Sequence, residues 1–372
     1  MTFDWAVRGW TGPGRAVTVG SGRQALGLLA RWCRGNGIGT VLAPAFCCPT
    51  MVTPFWLEGM SVRFTAVDER LVMAAEPLRA ARAGLDGPVA VLVARTGGSG
   101  PSAALRAELA RMRRRGDLVI DDATHAVLAD LADDERPGWC DASVASLRKL
   151  LPVPDGALLR AEDGVDVDPV GPATGGDPGR GPVSRRELPA LFDAPHRPVP
   201  DGALAHLDAL ARAEARFDAA LSPAPPCPAT LRVLAGLDGA GLARRTAANS
   251  QTLARALAGS GVGTINPGVP APLLVRVRDA AAIDVELAAR GVFSPMDWAR
   301  PDSVDGTLWP EGVLALDTRP VPGLADAVTR AWLRRTAGIV RGAGPRGRPA
   351  ANRPRKPVQN PASAVPPVRG ST

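Results

Sequence analysis

With 372 residues the chain is long enough for about two domains, and its 45% hydrophobic and 22% charged content is that of an ordinary globular protein. Tyrosine is absent and aromatic residues total 4%, which argues against a stacking surface for single-stranded nucleic acid. The net charge of +7 resides in residues 341–372, where Arg341, Arg346, Arg348, Arg353, Arg355, Lys356 and Arg369 meet no acid, so the body is neutral and no nucleic-acid partner is expected.

Five cysteines, two of them adjacent, show no zinc-site spacing and suit buried thiols in a reducing compartment. The stretch MTFDWAVRGW has no apolar core for a signal peptide, and no run reaches the ~18 apolar residues of a membrane span, so a cytoplasmic protein without a membrane partner is expected.

In chain order, residues 1–15 read as an arm. Ser21 is a plausible N-cap, and Ala25, Leu26, Leu28, Leu29 and Trp32 form the stripe of a helix. Short apolar runs predict strands over 40–44, 62–67, 88–94, 117–122, 143–147 and 155–160, with helices ending at Gly59 and spanning 102–115. Strands that are apolar throughout and alternate with helices imply a mostly parallel α/β sheet covered on both faces, with chemistry at the carboxyl ends of the strands. Residues 161–182, rich in Gly, Pro and Asp, predict a flexible loop. Helices follow near 203–221, 229–236, 239–259, 280–290 and 323–339, with strands over 272–277 and 313–317. The expected organisation is an arm (1–15), a large domain (16–200), a smaller C-terminal α/β domain (201–339) and a disordered basic Pro/Arg-rich tail (340–372).

Three features could carry chemistry. Gly20-Ser21-Gly22-Arg23 opens a helix, where N–H groups and the helix dipole favour an anion; an ordinary capped helix is the plainer reading. Asp122 ends a strand, with Thr124 and His125 close behind; an acidic turn with a structural histidine is the alternative. Only two lysines occur, Lys149 and Lys356, against 42 arginines. Guanidinium does not deprotonate in proteins, so a lysine kept in an arginine-dominated body is a candidate amine nucleophile. Chance survival on the surface is the other possibility. Metal binding by Asp121, Asp122 and His125 ranks low, because no second histidine lies nearby.

The order of these features resembles the fold-type-I pyridoxal-phosphate (PLP) enzymes of the aspartate aminotransferase superfamily, and most of all the DegT/DnrJ/EryC1/StrS aminotransferase group. Ser21-Gly22-Arg23-Gln24-Ala25-Leu26 is similar to that group's S-G-T-x-A-L. Leu42-Ala43-Pro44-Ala45-Phe46 resembles its strand that ends in proline. Ile120-Asp121-Asp122-Ala123-Thr124-His125-Ala126 resembles I-E-D-A-A-H/Q-A, and Ser146-Leu147-Arg148-Lys149 with Pro154-Asp155-Gly156 its lysine segment. The resemblance implies a seven-stranded sheet, a PLP cofactor and a homodimer. It implies that Lys149 forms the Schiff base, Asp122 pairs with the pyridine nitrogen, Thr124 packs on one ring face and His125 reaches the phenolic oxygen. Ser21, Gly22, Arg23 and Ser146 would hold the phosphate, and Phe46 or a neighbour would cover the other ring face.

Arg23 stands where the group has threonine, and the serine-to-lysine spacing is short, which leaves Ser143 and Ser146 both open as phosphate ligands. Arg319 is a candidate clamp for a donor carboxylate, with a surface arginine as the alternative. The activity expected is transfer of an amino group from an amino-acid donor to a keto-sugar or small carbonyl acceptor. A PLP-dependent lyase or decarboxylase and a non-catalytic homologue are the competing readings.

Overall fold

The computed structural model describes residues 15–132, 138–167, 222–296, 298, 300–320 and 326–342. The arm up to residue 14, most of the 161–182 loop, the boundary at 200–201, the helix expected over 203–221 and the tail after 342 lie outside the described residues.

Seven strands form the main sheet: β1 (Arg15–Val19), β2 (Thr40–Pro44), β3 (Ser61–Thr65), β4 (Ala90–Ala94), β5 (Leu118–Asp122), β6 (Ala142–Ser146) and β7 (Ala157–Ala161), in the spatial order β1-β7-β6-β5-β4-β2-β3. Pairing is parallel across β3/β2, β2/β4, β4/β5 and β5/β6, and antiparallel on both sides of β7. Only β7 therefore runs against the rest. The carboxyl ends of β1, β2, β4, β5 and β6 share one edge, where an open α/β sheet places its ligand.

Side chains alternate across each strand, and here both faces are covered. Val41, Ala43, Ala90, Leu92 and Ile120 pack under α1 (Gly22–Gly35) and α2 (Pro49–Leu57). Leu42, Val91, Val93 and Val119 face Leu78 of α3 (Ala75–Ala83) and Leu105, Leu109 and Met112 of α4 (Ala103–Arg114). Helix α1 buries Leu26, Leu29 and Cys33 on one stripe, each large side chain contributing about 1.5–3 kcal/mol. A charge at Leu29, which is fully buried, would break that face.

Four elements have no counterpart in the sequence reading: β1, α3, a helix over Val127–Ala132 and a two-residue strand, Gly263–Thr264. Strand β1 lies between the expected arm and the N-cap Ser21; five residues at a sheet edge carry too little periodicity to stand out. Helix α3 buries one leucine and one arginine. The arginine, Arg82, donates through Nε and Nη2 to Asp117 at 2.8 and 2.9 Å, and to the carbonyls of Leu85 and Gly87. An ion pair replaces half of the apolar stripe by which such a helix is recognised. Pro77 is tolerated because it falls in the first turn, where N–H groups have no intrahelical acceptor.

After α5 (Val127–Ala132), the second half of the chain contributes α6 (Pro228–Ala235) and the long α7 (Gly239–Leu257). A three-stranded antiparallel sheet follows, with β9 (Leu273–Arg276) between β8 (Gly263–Thr264) and β10 (Val313–Leu316). Helices α8 (Ala280–Ala288) and α9 (Asp326–Gly342) close its core around Leu253, Leu273, Val275, Leu287, Leu316 and Leu333. Among the described residues no helix is long and apolar enough to cross a membrane.

Candidate active site

Ser21, Gly22, Arg23, Asp122, Thr124, His125, Ser146 and Lys149 line a single cavity at the carboxyl edge of the main sheet. The first wall is the turn between β1 and α1. Ser21 adopts an extended conformation and its Oγ accepts from the Gln24 N–H at 3.3 Å, which caps the helix. The Gln24 side chain reaches back, its Oε1 accepting from the N–H groups of Gly20 and Ala224. Gly22 faces Ser146 so closely that a Cβ at position 22 would stand 3.1 Å from the Ser146 Cβ. Only glycine leaves that space open. Arg23, 7% exposed, lines the cavity beside it.

The second wall is the end of β5. Strand alternation sends Asp121 and Asp122 to opposite faces. Asp121 is fully buried against Arg95, accepting from Nε at 3.0 Å and Nη2 at 2.9 Å, and Arg95 also pairs with Asp130. Burial pushes the Asp121 carboxyl up to about 7, against the pull of Arg95. Asp122 lines the cavity. Burial raises its pKa too, opposed by hydrogen bonds from Thr124, whose N–H donates to Oδ1 at 2.9 Å, and by the positive charges of Arg95 and Lys149. Thr124 Oγ1 in turn accepts from the Ser146 N–H at 3.0 Å and joins the ends of β5 and β6. His125 is held neutral, its pKa driven down to about 3 by burial and then by Lys149. Its Nδ1 accepts from the Gly97 N–H at 3.5 Å, which leaves Nε2 as the donor.

The third wall is the exit from β6. Ser146 ends the strand, and a 3₁₀ turn over Leu147–Lys149 carries the lysine into the cavity lining. Of the two serines left open, Ser146 lines the cavity, whereas Ser143 is buried beside the Cys140 sulfur at 3.3 Å. Behind the turn, the Leu147 N–H donates to the Gly156 carbonyl and the Gly156 N–H to the Gly20 carbonyl. These two bonds tie the lysine turn to the phosphate-type turn.

The smaller sheet's half of the chain reaches three of these loops. Asn266 Nδ2 donates to the Gly97 carbonyl at 2.6 Å, after β4. Trp298 stacks on His125, after β5, with centroids 5.8 Å apart and planes at 15°. Arg319 Nη1 donates to the Lys149 carbonyl at 3.1 Å, after β6. Gly97 and Gly98 have φ of +59 and +76°, and a Cβ on Gly97 would lie 2.5 Å from Leu274 Cδ1, so the joint between the two halves depends on that glycine pair.

Two expectations are not met. Phe46 does not line this cavity; it packs against Trp298 and Trp309, with centroids 5.1 and 5.0 Å away, in a cluster between the two halves. The aromatic surface that attracts it comes from residues about 250 positions away, which no local pattern reveals. Cys48, Thr50 and Met51 line the cavity on that side instead. Arg319 is neither a surface arginine nor a cavity residue, since its guanidinium is gripped by Asp317. Arg95, Arg148 and Trp298 line the cavity without having been singled out. Arg95 follows a strand directly, so its place at the carboxyl end of β4 was a usable signal. The cysteines are all free, and burial raises Cys33 and Cys140 to about 12, which keeps those thiols protonated. Among the described residues no three His, Cys, Asp or Glu side chains gather in a metal-binding arrangement.

A seven-stranded sheet with one reversed strand is the fold of the type-I PLP-dependent aminotransferases, and the chain shares it. Among solved structures the chain shares the fold of DegT/DnrJ/EryC1/StrS aminotransferases. It is similar to the aminotransferase of that name from Brucella abortus, at TM-score 0.57 and 15% identity over 91% of this chain and 88% of the other. It is similar to DesI, solved with its TDP-sugar product, at TM-score 0.58 and 19% identity over 91% and 83% of the two chains. A third such structure is 3-amino-5-hydroxybenzoic acid synthase, at TM-score 0.59 and 19% identity over 91% and 88%. At these identities the likeness is one of fold. No family model matches the chain, and no curated protein does.

Proposed function

We propose that the chain is a PLP-dependent aminotransferase that works as a homodimer on a small carbonyl acceptor. The observation that carries the reading is convergence: the capped start of α1, Asp122 and Lys149 come from separate segments and line one cavity. The donor set fits the cofactor at each end. Ser21, Ser146, Arg23 and the first turn of α1 offer hydroxyls, a guanidinium and backbone N–H groups to a phosphate, and Gly22 keeps the space beside Ser146 open. Asp122 offers a buried carboxylate to a ring N–H, and Lys149 offers a primary amine to a carbonyl.

Bound PLP supplies a carbonyl for amine exchange and a ring that takes up negative charge. The chain's own residues do the rest. Asp122, costly to bury as an ion, would be stabilised by the proton of the ring nitrogen and would in turn keep that proton in place. Lys149 holds and moves the proton of the reacting carbon as base and then acid. His125, neutral and stacked under Trp298, presents Nε2–H as a donor to a ring oxygen. Trp298 and Met51 give the cavity part of its apolar lining. Arg148 is the cavity arginine placed to meet a donor carboxylate. A carbonyl on a sugar is supported by the DesI likeness, while the benzoic acid synthase shows that the same fold serves other rings.

Adding PLP to the purified protein should give a visible absorbance band that Lys149→Ala abolishes. Glutamate should then convert the cofactor to pyridoxamine phosphate. A band that glutamate bleaches only with loss of carbon dioxide would replace this reading by a decarboxylase on the same fold.

A further inference from the structure

Arg319 lies on the strap that leaves β10, at the end of the smaller sheet. Asp317 grips one edge of its guanidinium: Nε donates at 2.9 and 3.1 Å to the two carboxylate oxygens, and Nη2 at 2.6 Å. The other edge is aimed at a single main-chain atom, the carbonyl oxygen of Lys149, with Nη1 at 3.1 Å. The strap itself is fixed. Thr318 is fully buried, its Oγ1 donates to the Ala271 carbonyl at 2.7 Å and its carbonyl accepts from Asn249 Nδ2 at 3.0 Å. Arg319 therefore reaches the lysine turn in a set orientation.

Leu147, Leu150 and Leu151 root that turn in the core, and the Lys149 carbonyl faces Arg319. The main-chain bonds closing it run from the Leu150 and Leu151 N–H groups to the Leu147 carbonyl, at 3.2 and 2.8 Å. Short 3₁₀ turns make poor hydrogen bonds, so the bond from Arg319 adds a hold at the Lys149 carbonyl that the turn does not supply itself. Four methylenes separate that backbone from the amine, and a small rotation at the root becomes a large displacement at the tip. A planar fork can satisfy a carboxylate and a carbonyl at once; an ammonium point charge cannot hold both in one geometry.

We infer that Arg319, presented by Asp317, is a positioning residue for Lys149, holding the main chain of its turn so that the amine meets the cofactor carbonyl. The inference rests on the aminotransferase reading. It also gives the strap after β10 a direct hold on the reacting lysine.

The test compares two forms of the cofactor by calorimetric titration of the full chain. PLP bonds to the lysine amine; pyridoxamine phosphate has no carbonyl and does not, yet shares the ring and phosphate contacts. Arg319→Ala should weaken PLP about tenfold, the scale of one charge-assisted hydrogen bond, and leave pyridoxamine phosphate unchanged. Arg319→Lys should fall between wild type and Ala for PLP alone. Should the Ala variant fail to fold, Arg319→Lys and Asp317→Asn, which loosens the guanidinium without removing it, carry the same comparison. Variants that lose both forms equally, or neither, overturn the inference, because a structural role would not tell the two apart. Wild-type protein that binds neither form overturns the aminotransferase reading and this inference with it. Wild type that binds both, with the ratio unmoved in the variants, overturns this inference alone.

Discussion

Asp122→Asn should move stability in opposite directions with and without the cofactor. In the protein alone, Asp122 is 7% exposed and burial raises its pKa, so its charge is carried at a cost. Asparagine keeps an oxygen to accept the Thr124 N–H at 2.9 Å and sheds that cost, at the loss of some attraction to Arg95 and Lys149. The net gain should be about 1 kcal/mol, the ordinary scale of a single substitution. The sign of the pH dependence follows from linkage. The folded state binds this proton more tightly than the unfolded state, so the wild type loses stability relative to the variant as pH rises from the unfolded carboxyl value, ~4, through the raised folded one. The gain from asparagine should thus vanish near pH 4 and grow as pH rises above it.

With the cofactor the order should reverse. A charge-assisted bond to a ring N–H is worth about 1.5–3 kcal/mol, so binding should weaken by up to roughly a hundredfold. At a PLP concentration of a thousand wild-type Kd, binding stabilises the wild type by about 4 kcal/mol and a hundredfold weaker site by about 1.4 kcal/mol. The variant should then unfold a few degrees above the wild type without PLP and a few degrees below it with PLP, at about 2–4 °C per kcal/mol. Scanning calorimetry at neutral pH, with and without the cofactor, makes the comparison. Two curves that keep the same order in both conditions would refute the placement of Asp122 against the ring.

Three other substitutions address the frame around the cavity. Gly97→Ala meets a left-handed φ of +59° and a Cβ contact of 2.5 Å, and should cost about 2–5 kcal/mol in urea unfolding, with Gly100→Ala, which has open space, near neutral. Gly22→Val puts a Cβ 3.1 Å from the Ser146 Cβ, so it should lower the melting temperature, and it should also lower PLP affinity at least tenfold by filling the space beside Ser146. Asp117→Ala should destabilise by about 3–5 kcal/mol because it strands the buried Arg82, and the double variant Arg82→Met with Asp117→Leu should cost less than the single, as read in a double-mutant cycle.

The sheet was legible because its strands are short, apolar throughout and separated by helices, a pattern that both-face burial imposes. The site was legible where its residues stand at strand ends in chain order: Ser21 to Arg23, Asp122 to His125, and Ser146 to Lys149. The bias toward arginine made Lys149 visible, since an amine was the one basic function arginine could not take over. What stayed hidden depends on contacts across the fold. The role of Phe46 could not be read from its neighbours, because Trp298 and Trp309 claim it from the other half of the chain. Arg319 looked like one arginine among many until Asp317 and the Lys149 carbonyl were placed on either side of it. Helix α3 escaped because an ion pair does the work of its apolar face. Arg95 escaped because its partners, Asp121 and Asp130, are 26 and 35 residues away.

The central claim is that Lys149 carries the cofactor, and the chain's composition makes it unusually easy to test. Borohydride reduction of the PLP-loaded protein, followed by peptide mass spectrometry, has only two lysines to choose between, Lys149 and Lys356. One phosphopyridoxyl group is expected, on the peptide that contains Lys149, with Lys356 unmodified at stoichiometric cofactor. Label on Lys356 alone, or equal label on both, would contradict it.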